Sequence, residues 1–152
     1  MSVAASAFNN IVSTLDLNES LAVYVKHVYS GFRINMDPDS LPYICVEPTQ
    51  NNEIHKNMNQ YKDIFLNVDI ISFSYCPTNS EQTVVGNANY RGILDIENDI
   101  RACLQSSNTL GDTVIDIQLD PTVFDMPDIQ KKYFIRGMVI PAKILYRQNK
   151  GI

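Results

Sequence analysis

Residues 64–75 place the tightest constraint on the fold. Ile64, Leu66, Val68 and Ile70 alternate with Asn67 and Asp69, the period of two expected for an extended strand with one apolar face. Beyond Ile70 the parity reverses: Ile71, Phe73 and Tyr75 are the large apolar residues, and Ser72 and Ser74 are small and polar. A one-residue step moves every side chain to the other face. The reversal therefore predicts either a bulge near Ile70 and Ile71 or a change in the layer that covers the strand. A strand of this length needs extended partners, and two lie downstream. Residues 113–119 turn Ile115, Ile117 and Leu119 inward against Asp116 and Gln118, and residues 133–146 are apolar on both faces. Pro141 interrupts the second and predicts an edge or a bulge.

The remaining segments arrange themselves around these strands. Ala4, Ala5, Phe8, Ile11, Val12 and Leu15 recur at helical spacing, so residues 2–16 read as an amphipathic helix on the outside of the fold. Residues 18–29 read as a helix capped by Asn18 or Ser20 that passes into a short strand, with a turn at Ser30-Gly31 and another at residues 37–40. Residues 41–47 form a short strand bracketed by Pro42 and Pro48, with Pro42 at an edge or a strand start. The polar run 49–60 reads as a long exposed hairpin connection. The clearest helix spans residues 87–105, with Ile93, Ile96, Ile100 and Cys103 as its buried stripe and Arg91 with Asp95, and Glu97 with Arg101, as surface pairs. This order describes a single α+β domain, a mostly antiparallel sheet with a covering amphipathic helix and an N-terminal helix.

Charge is divided along the chain. All 17 acids lie at or before Asp128, whereas the last 24 residues carry Lys131, Lys132, Arg136, Lys143, Arg147 and Lys150 with no acid. Two readings stay open: cations on a terminal strand paired with acids of the same molecule, or head-to-tail contact between copies. An overall charge of −5 argues against tight nucleic-acid binding, which rests on many phosphate-neutralising cations. Three widely spaced cysteines fit neither a disulfide framework nor a zinc site and imply a reducing compartment. Cys45 and Cys103 read as buried thiols and Cys76 as an exposed one. No Lys or Arg precedes Lys26 and no long apolar run occurs, so neither a signal peptide nor a membrane span is expected.

Chemistry has few footholds. His27 and His55 lack partners at metal spacing and read as structural or solvated. Asp95, Glu97 and Asp99 read as a solvated helix surface that would need a further oxygen ligand to hold a cation. Residues 120–128 read as a rigid turn and lack the Gly and Glu of a calcium loop. Neither a nucleophile elbow nor a phosphate-binding glycine loop occurs. The expectation is a protein that is not an enzyme and uses no cofactor.

Val28-Tyr29-Ser30-Gly31 is followed by Leu41-Pro42-Tyr43-Ile44-Cys45-Val46-Glu47-Pro48, a polar loop, a long strand, a lone amphipathic helix and closing strands. That succession resembles the tail-terminator, or tail-completion, proteins of long-tailed bacteriophages. The resemblance implies a virion structural protein, assembled in the host cytoplasm, that forms a hexameric ring, caps the tail tube and joins it to the head-side connector. DNA would pass through the channel without tight binding, and no membrane would be involved. The alternatives are another phage neck or head-closure component and a small ligand-binding α+β domain. The polar segments 49–60 and 77–86 would serve as docking arms. Candidate interface residues are Asn51, Asn52, Glu53, His55 and Lys56 in the first arm, the acids Asp120, Asp125 and Asp128, and the cations Arg136, Lys143 and Arg147.

Overall fold

The computed structural model describes residues 2–34, 37–54, 61–106, 114, 116–125, 128–130 and 133–149. Helix α1 (Val3–Asp16) begins where the Ser2 hydroxyl accepts the Ala5 N–H at 3.1 Å, satisfying one of the otherwise unpaired amides of the first turn. Its buried stripe is Ala7, Ile11 and Leu15. Asn18 caps the short α2 (Glu19–Ala22) in the same way, through Leu21 N–H at 3.0 Å, and the chain then enters β1 (His27–Ser30). A 3-10 turn (Pro38–Ser40), capped by Asp37, leads to β2 (Tyr43–Ile54) and β3 (Tyr61–Cys76). Helices α3 (Gln82–Val85) and α4 (Ile93–Ser106) follow. Short strands β4 (Asp116–Leu119), β5 (Val123–Phe124) and β6 (Asp128–Gln130) then precede β7 (Tyr133–Asn149).

These strands form one seven-stranded sheet in the order β1-β2-β3-β7-β4, with β5 and β6 continuing the β4 side of β7. Among the described residues, β1 and β2 pair in parallel and the other strand pairs are antiparallel. The α+β class expected from the sequence is the class observed. The β3–β7 register runs without a break from Tyr61↔Asn149 to Cys76↔Phe134.

No bulge lies at Ile70 and Ile71, so the parity reversal comes from a change of cover. On one face Ile64, Leu66, Val68 and Ile70 pack with α1 and α4 in the main core, joined by Met138, Ile140, Ala142, Ile144 and Tyr146 of β7. On the other face a smaller cluster of Leu41, Tyr43, Cys45 and Ile135 gathers Ile71, Phe73 and Tyr75 at one end of the sheet. The small serines then suit the helix side. Ser74 donates to the Thr83 carbonyl at 2.7 Å, which draws α3 onto the sheet, and Ser72 donates to the Tyr43 carbonyl at 3.0 Å.

Several expectations are corrected. Residues 49–54 belong to β2, and only 55–60 lie outside the described residues. β1 pairs with β2 only as far as Val46, so beyond that point β2 is an edge strand, and Asn and Gln there can face water while β3 supplies their backbone partners. Pro48 does not end the strand; it sits where the β2–β3 register shifts, between Pro48 and Gln50. Pro141 is interior to the sheet, and its interruption appears on the outer partner, in the gap between β4 and β5 where Asp120 N–H donates to the Pro141 carbonyl at 2.8 Å.

The second expected arm, residues 77–86, is held to the body. Thr83 is fully buried and its hydroxyl accepts from Arg136 Nε at 3.1 Å. The main helix begins at Ile93 rather than near 87. Asn87 Oδ1 accepts the N–H groups of Asn89 and Tyr90 in a turn, and Gly86, at φ 75°, lies so close to Gly92 that a Cβ would meet its nitrogen at 2.6 Å. Cys76 is buried, not exposed, as are Cys45 and Cys103. Thr113 and Ile115 of the expected strand lie outside the described residues.

Layering on one face makes a direct prediction. Ile70→Ala should cost about 2–5 kcal/mol, whereas Phe65→Ala, on the face without a helix, should cost about 1 kcal/mol. Urea unfolding of both variants measures the contrast; equal losses would mean that both faces are covered alike.

Candidate functional site

The face of the sheet turned away from α1 and α4 has no helix on it among the described residues. Register places its side chains in rows. Asn52, Phe65, Leu145 and Asp116 form one; Gln50, Asn67, Lys143 and Gln118 the next; then Glu47, Asp69 and Pro141. Towards the first row the surface is apolar at its centre. At Asp63 it closes with an ion pair to Arg147, 2.8 Å across the β3–β7 ladder.

Two features of this face carry electrostatic cost. Glu47 and Asp69 stand directly opposite each other on β2 and β3. Like charges so placed repel, and burial followed by the nearby Glu47 carboxylate holds the Asp69 carboxyl above the usual carboxylate range. Glu47 is oriented by a second contact, accepting the Phe32 N–H through Oε2. One row away, Asn67 Oδ1 is buried with no hydrogen-bond partner.

The candidate interface residues that are described fall at several places on the sheet. Asn51 turns to the helix side, where its amide exchanges hydrogen bonds with the Tyr146 hydroxyl at 3.3 Å. Asn52 is exposed, and Glu53 is paired with Lys62 at 2.7 Å. His55 and Lys56 lie outside the described residues. Arg136 and Lys143 occupy opposite faces: Arg136 reaches Thr83 beneath α3, and Lys143 lies in the open row between Asn67 and Gln118. Arg147 is committed to Asp63. Asp120 and Asp125 follow β4 and β5 on the outer side of β7, with Asp125 N–H donating to Gly137 at 2.9 Å, and Asp128 opens β6.

A second concave region lies between the α2–β1 connection, the 3-10 turn and residues 89–91, and it includes Tyr24, Lys26, Asp39, Tyr75, Tyr90 and Arg91. In an adjoining concavity also lined by Tyr24 and Arg91, the Tyr24 hydroxyl donates to Asp99 Oδ2 at 2.7 Å, and Arg91 reaches the same oxygen at 2.9 Å with its guanidinium 5.4 Å from the Tyr24 ring centre. Burial and the Asp99 bond push the Tyr24 phenol well above its ordinary range. The three groups satisfy one another, which ties α4 to the α2–β1 connection. Helical spacing pointed to Arg91 with Asp95; the true partner is Asp99, because Arg91 precedes the helix and approaches from outside its register. Nothing local in the sequence marks Tyr24 as the third member.

Among the described residues no group of three or more His, Cys, Asp or Glu side chains is arranged to hold a metal ion. Burial pushes the Cys45 and Cys103 thiols up, so both stay protonated.

No family model matches the chain, and no curated protein matches it. Among solved structures, the chain is similar to one in the "Virion of native gene transfer agent (GTA) particle", at 12% identity and a TM-score of 0.40, over 95% of this chain and 98% of that one.

The Glu47–Asp69 contact predicts a pH dependence. A carboxyl with a raised folded-state pKa binds more protons folded than unfolded, so its contribution is present in acid and is lost as pH rises from the ordinary carboxylate value through the raised one. Asp69→Asn should therefore melt higher than the parent at pH 7, with the difference shrinking as the pH falls below the carboxylate range. Melts across pH decide this; a variant less stable at pH 7 would mean that the carboxylate is favourably engaged.

Proposed function

We propose that this chain is a non-enzymatic virion subunit of a phage tail or neck, most closely of tail-terminator type. Copies join into a ring that caps the tail tube and meets the head-side connector, leaving a passage for DNA. The observation that carries this reading is that the sheet has two unlike edges. On one side are the short parallel β1 and, beyond Val46, the free edge of β2; on the other are the three pieces β4, β5 and β6, whose register against β7 moves by one residue from piece to piece. A closed ring of identical copies needs two different surfaces on each copy, and this geometry supplies them. The interrupted β4–β6 edge also resists open-ended strand pairing into fibres, so on that side contact between copies would rest on side chains rather than on extension of the sheet.

The order of elements supports the same reading. From β1 onward, a short strand, the Leu41–Val46 segment, the long β3, the amphipathic α4 and closing strands follow the succession on which the resemblance rests, with β2 extended into what was read as its polar loop. The cluster of Tyr24, Asp99 and Arg91 is closed by its own ion pair and hydrogen bonds, as suits a brace between elements.

Light scattering over a range of protein concentrations, at low and high salt, tests the ring. The 17.2 kDa chain should give a larger species of fixed mass as concentration rises, weakened by salt, and negative-stain images of that species should show annuli. A monomer at every concentration, or an unbounded size series, would overturn the proposal.

A further inference from the structure

We propose that residues 116–125 are a strap over the outer edge of β7, held shut by Arg101 of α4, and that this clasp keeps assembly of the subunit finite. Among the described residues β7 is the longest strand, and one of its edges is saturated by β3. The other edge is covered in pieces, by four residues of β4, two of β5 and three of β6. The middle piece has the least to hold it. Val123 and Phe124 are 58% and 41% exposed, so β5 brings little buried apolar surface of its own.

A side-chain network from α4 holds it instead. Leu119 stands opposite Ala142 and Val123 opposite Val139, so three residues, 120–122, face two, Ile140 and Pro141. The extra residue makes a bulge, which lifts backbone groups off the ladder. Arg101 collects them: its Nη2 donates to the Asp120 carbonyl at 2.6 Å and to the Thr122 hydroxyl at 2.7 Å, while its Nε donates to Glu97 Oε1 at 2.8 Å. The Thr122 hydroxyl in turn donates to the same Glu97 oxygen at 3.1 Å, which closes the network. The Arg101 and Glu97 side chains are each 22% exposed, so these charge-assisted bonds are sheltered from water, and the planar guanidinium reaches three acceptors at once. Helical spacing alone reads Glu97 and Arg101 as a surface pair; the strand order makes them a clasp.

Opening the strap bares the β7 backbone from Gly137 to Leu145, the run that residues 116–125 cover. A bare edge of that length pairs with extended backbone. Among the described residues the longest unpaired extended run is β2 beyond Val46, where residues 48–53 are exposed, so a second copy's β2 is the strand that takes the place of the strap. Each opened copy then carries one accepting edge and one donating edge, and unlike edges that do not close on themselves add copies without end. With the strap shut the accepting edge is covered, and growth by sheet extension stops.

Arg101→Ala in the full chain tests the clasp by hydrogen–deuterium exchange and sedimentation. In dilute solution the amides of residues 117–125, among them Asp120 and Asp125, which donate to β7, should exchange about tenfold faster than in the parent, while residues 64–75 keep parent rates. On concentrating, the variant should grow without a size limit and gain protection at residues 47–54 and 137–145, whereas the parent stays at a fixed size. Adding Gln50→Lys with Asn52→Lys puts cations on the exposed β2 edge; this should abolish the growth and leave the fast exchange. Parent rates at 117–125, a variant no larger than the parent, or growth that survives the two lysines would each overturn the proposal. A parent that stays monomeric overturns the ring alone, and a parent that itself grows without limit overturns both. If Arg101→Ala does not fold, Thr122→Val removes one acceptor from the network and should speed the same amides; unchanged exchange there would overturn the clasp.

Discussion

Sixteen residues of β3 pair in unbroken register with β7, and the rest of the molecule is arranged by that ladder. Because side chains alternate across a strand, an uninterrupted ladder fixes which residues share each face over its whole length. Even-numbered positions of β3 and β7 then build the core beneath α1 and α4, and odd-numbered positions build the opposite surface. That surface is covered by the chain's own apolar cluster only at the Tyr43 and Phe73 end. Tyr43 is locked there by its hydroxyl bond to the Arg33 carbonyl at 2.9 Å, so the segment that bears Phe32 and Ile34 is anchored to the same ladder.

The ladder also determines what the divided charge can do. Six cations concentrated in the last 24 residues look, as a string, like a basic tail. Three of them lie on the described part of the longest strand in the sheet, and alternation sends them to different faces and partners. Arg136 turns under α3 to Thr83, Arg147 crosses to Asp63, and Lys143 remains in the open row. The cross-strand Asp63–Arg147 pair realises one of the two readings of the asymmetry. At 55% exposure for Arg147 it contributes little to stability, and it serves mainly to favour this register.

Much of this was legible in the sequence where one periodicity governed a segment. The helix stripe of Ile93, Ile96, Ile100 and Cys103, the alternation after Ile64 and the cap at Asn18 each follow from local spacing. The readings that failed depended on partners distant in sequence. Residues 49–54 looked like a loop because their polarity says nothing about the backbone bonds that β3 provides. Asn87 looked like the start of the helix that follows, but its side-chain turn competes with the helix, and the close Gly86–Gly92 approach favours the turn. Cys76 looked exposed because Pro77 suggested a strand end at the surface, whereas α3 folds back over that end. The two unlike sheet edges were not visible at all, since β1 and β4 are set on opposite sides only by the strand order.

Hydrogen–deuterium exchange of the dilute and the concentrated protein bears most directly on the proposal that a rigid β3–β7 ladder orders a subunit that associates through its two unlike sheet edges. The amides of residues 64–75 and 134–146 should exchange slowly at both concentrations, and protection gained on concentrating should be confined to the two sheet edges, residues 27–30 with 47–54 and residues 116–125. Protection gained chiefly on α1, or across the ladder itself, would contradict the account.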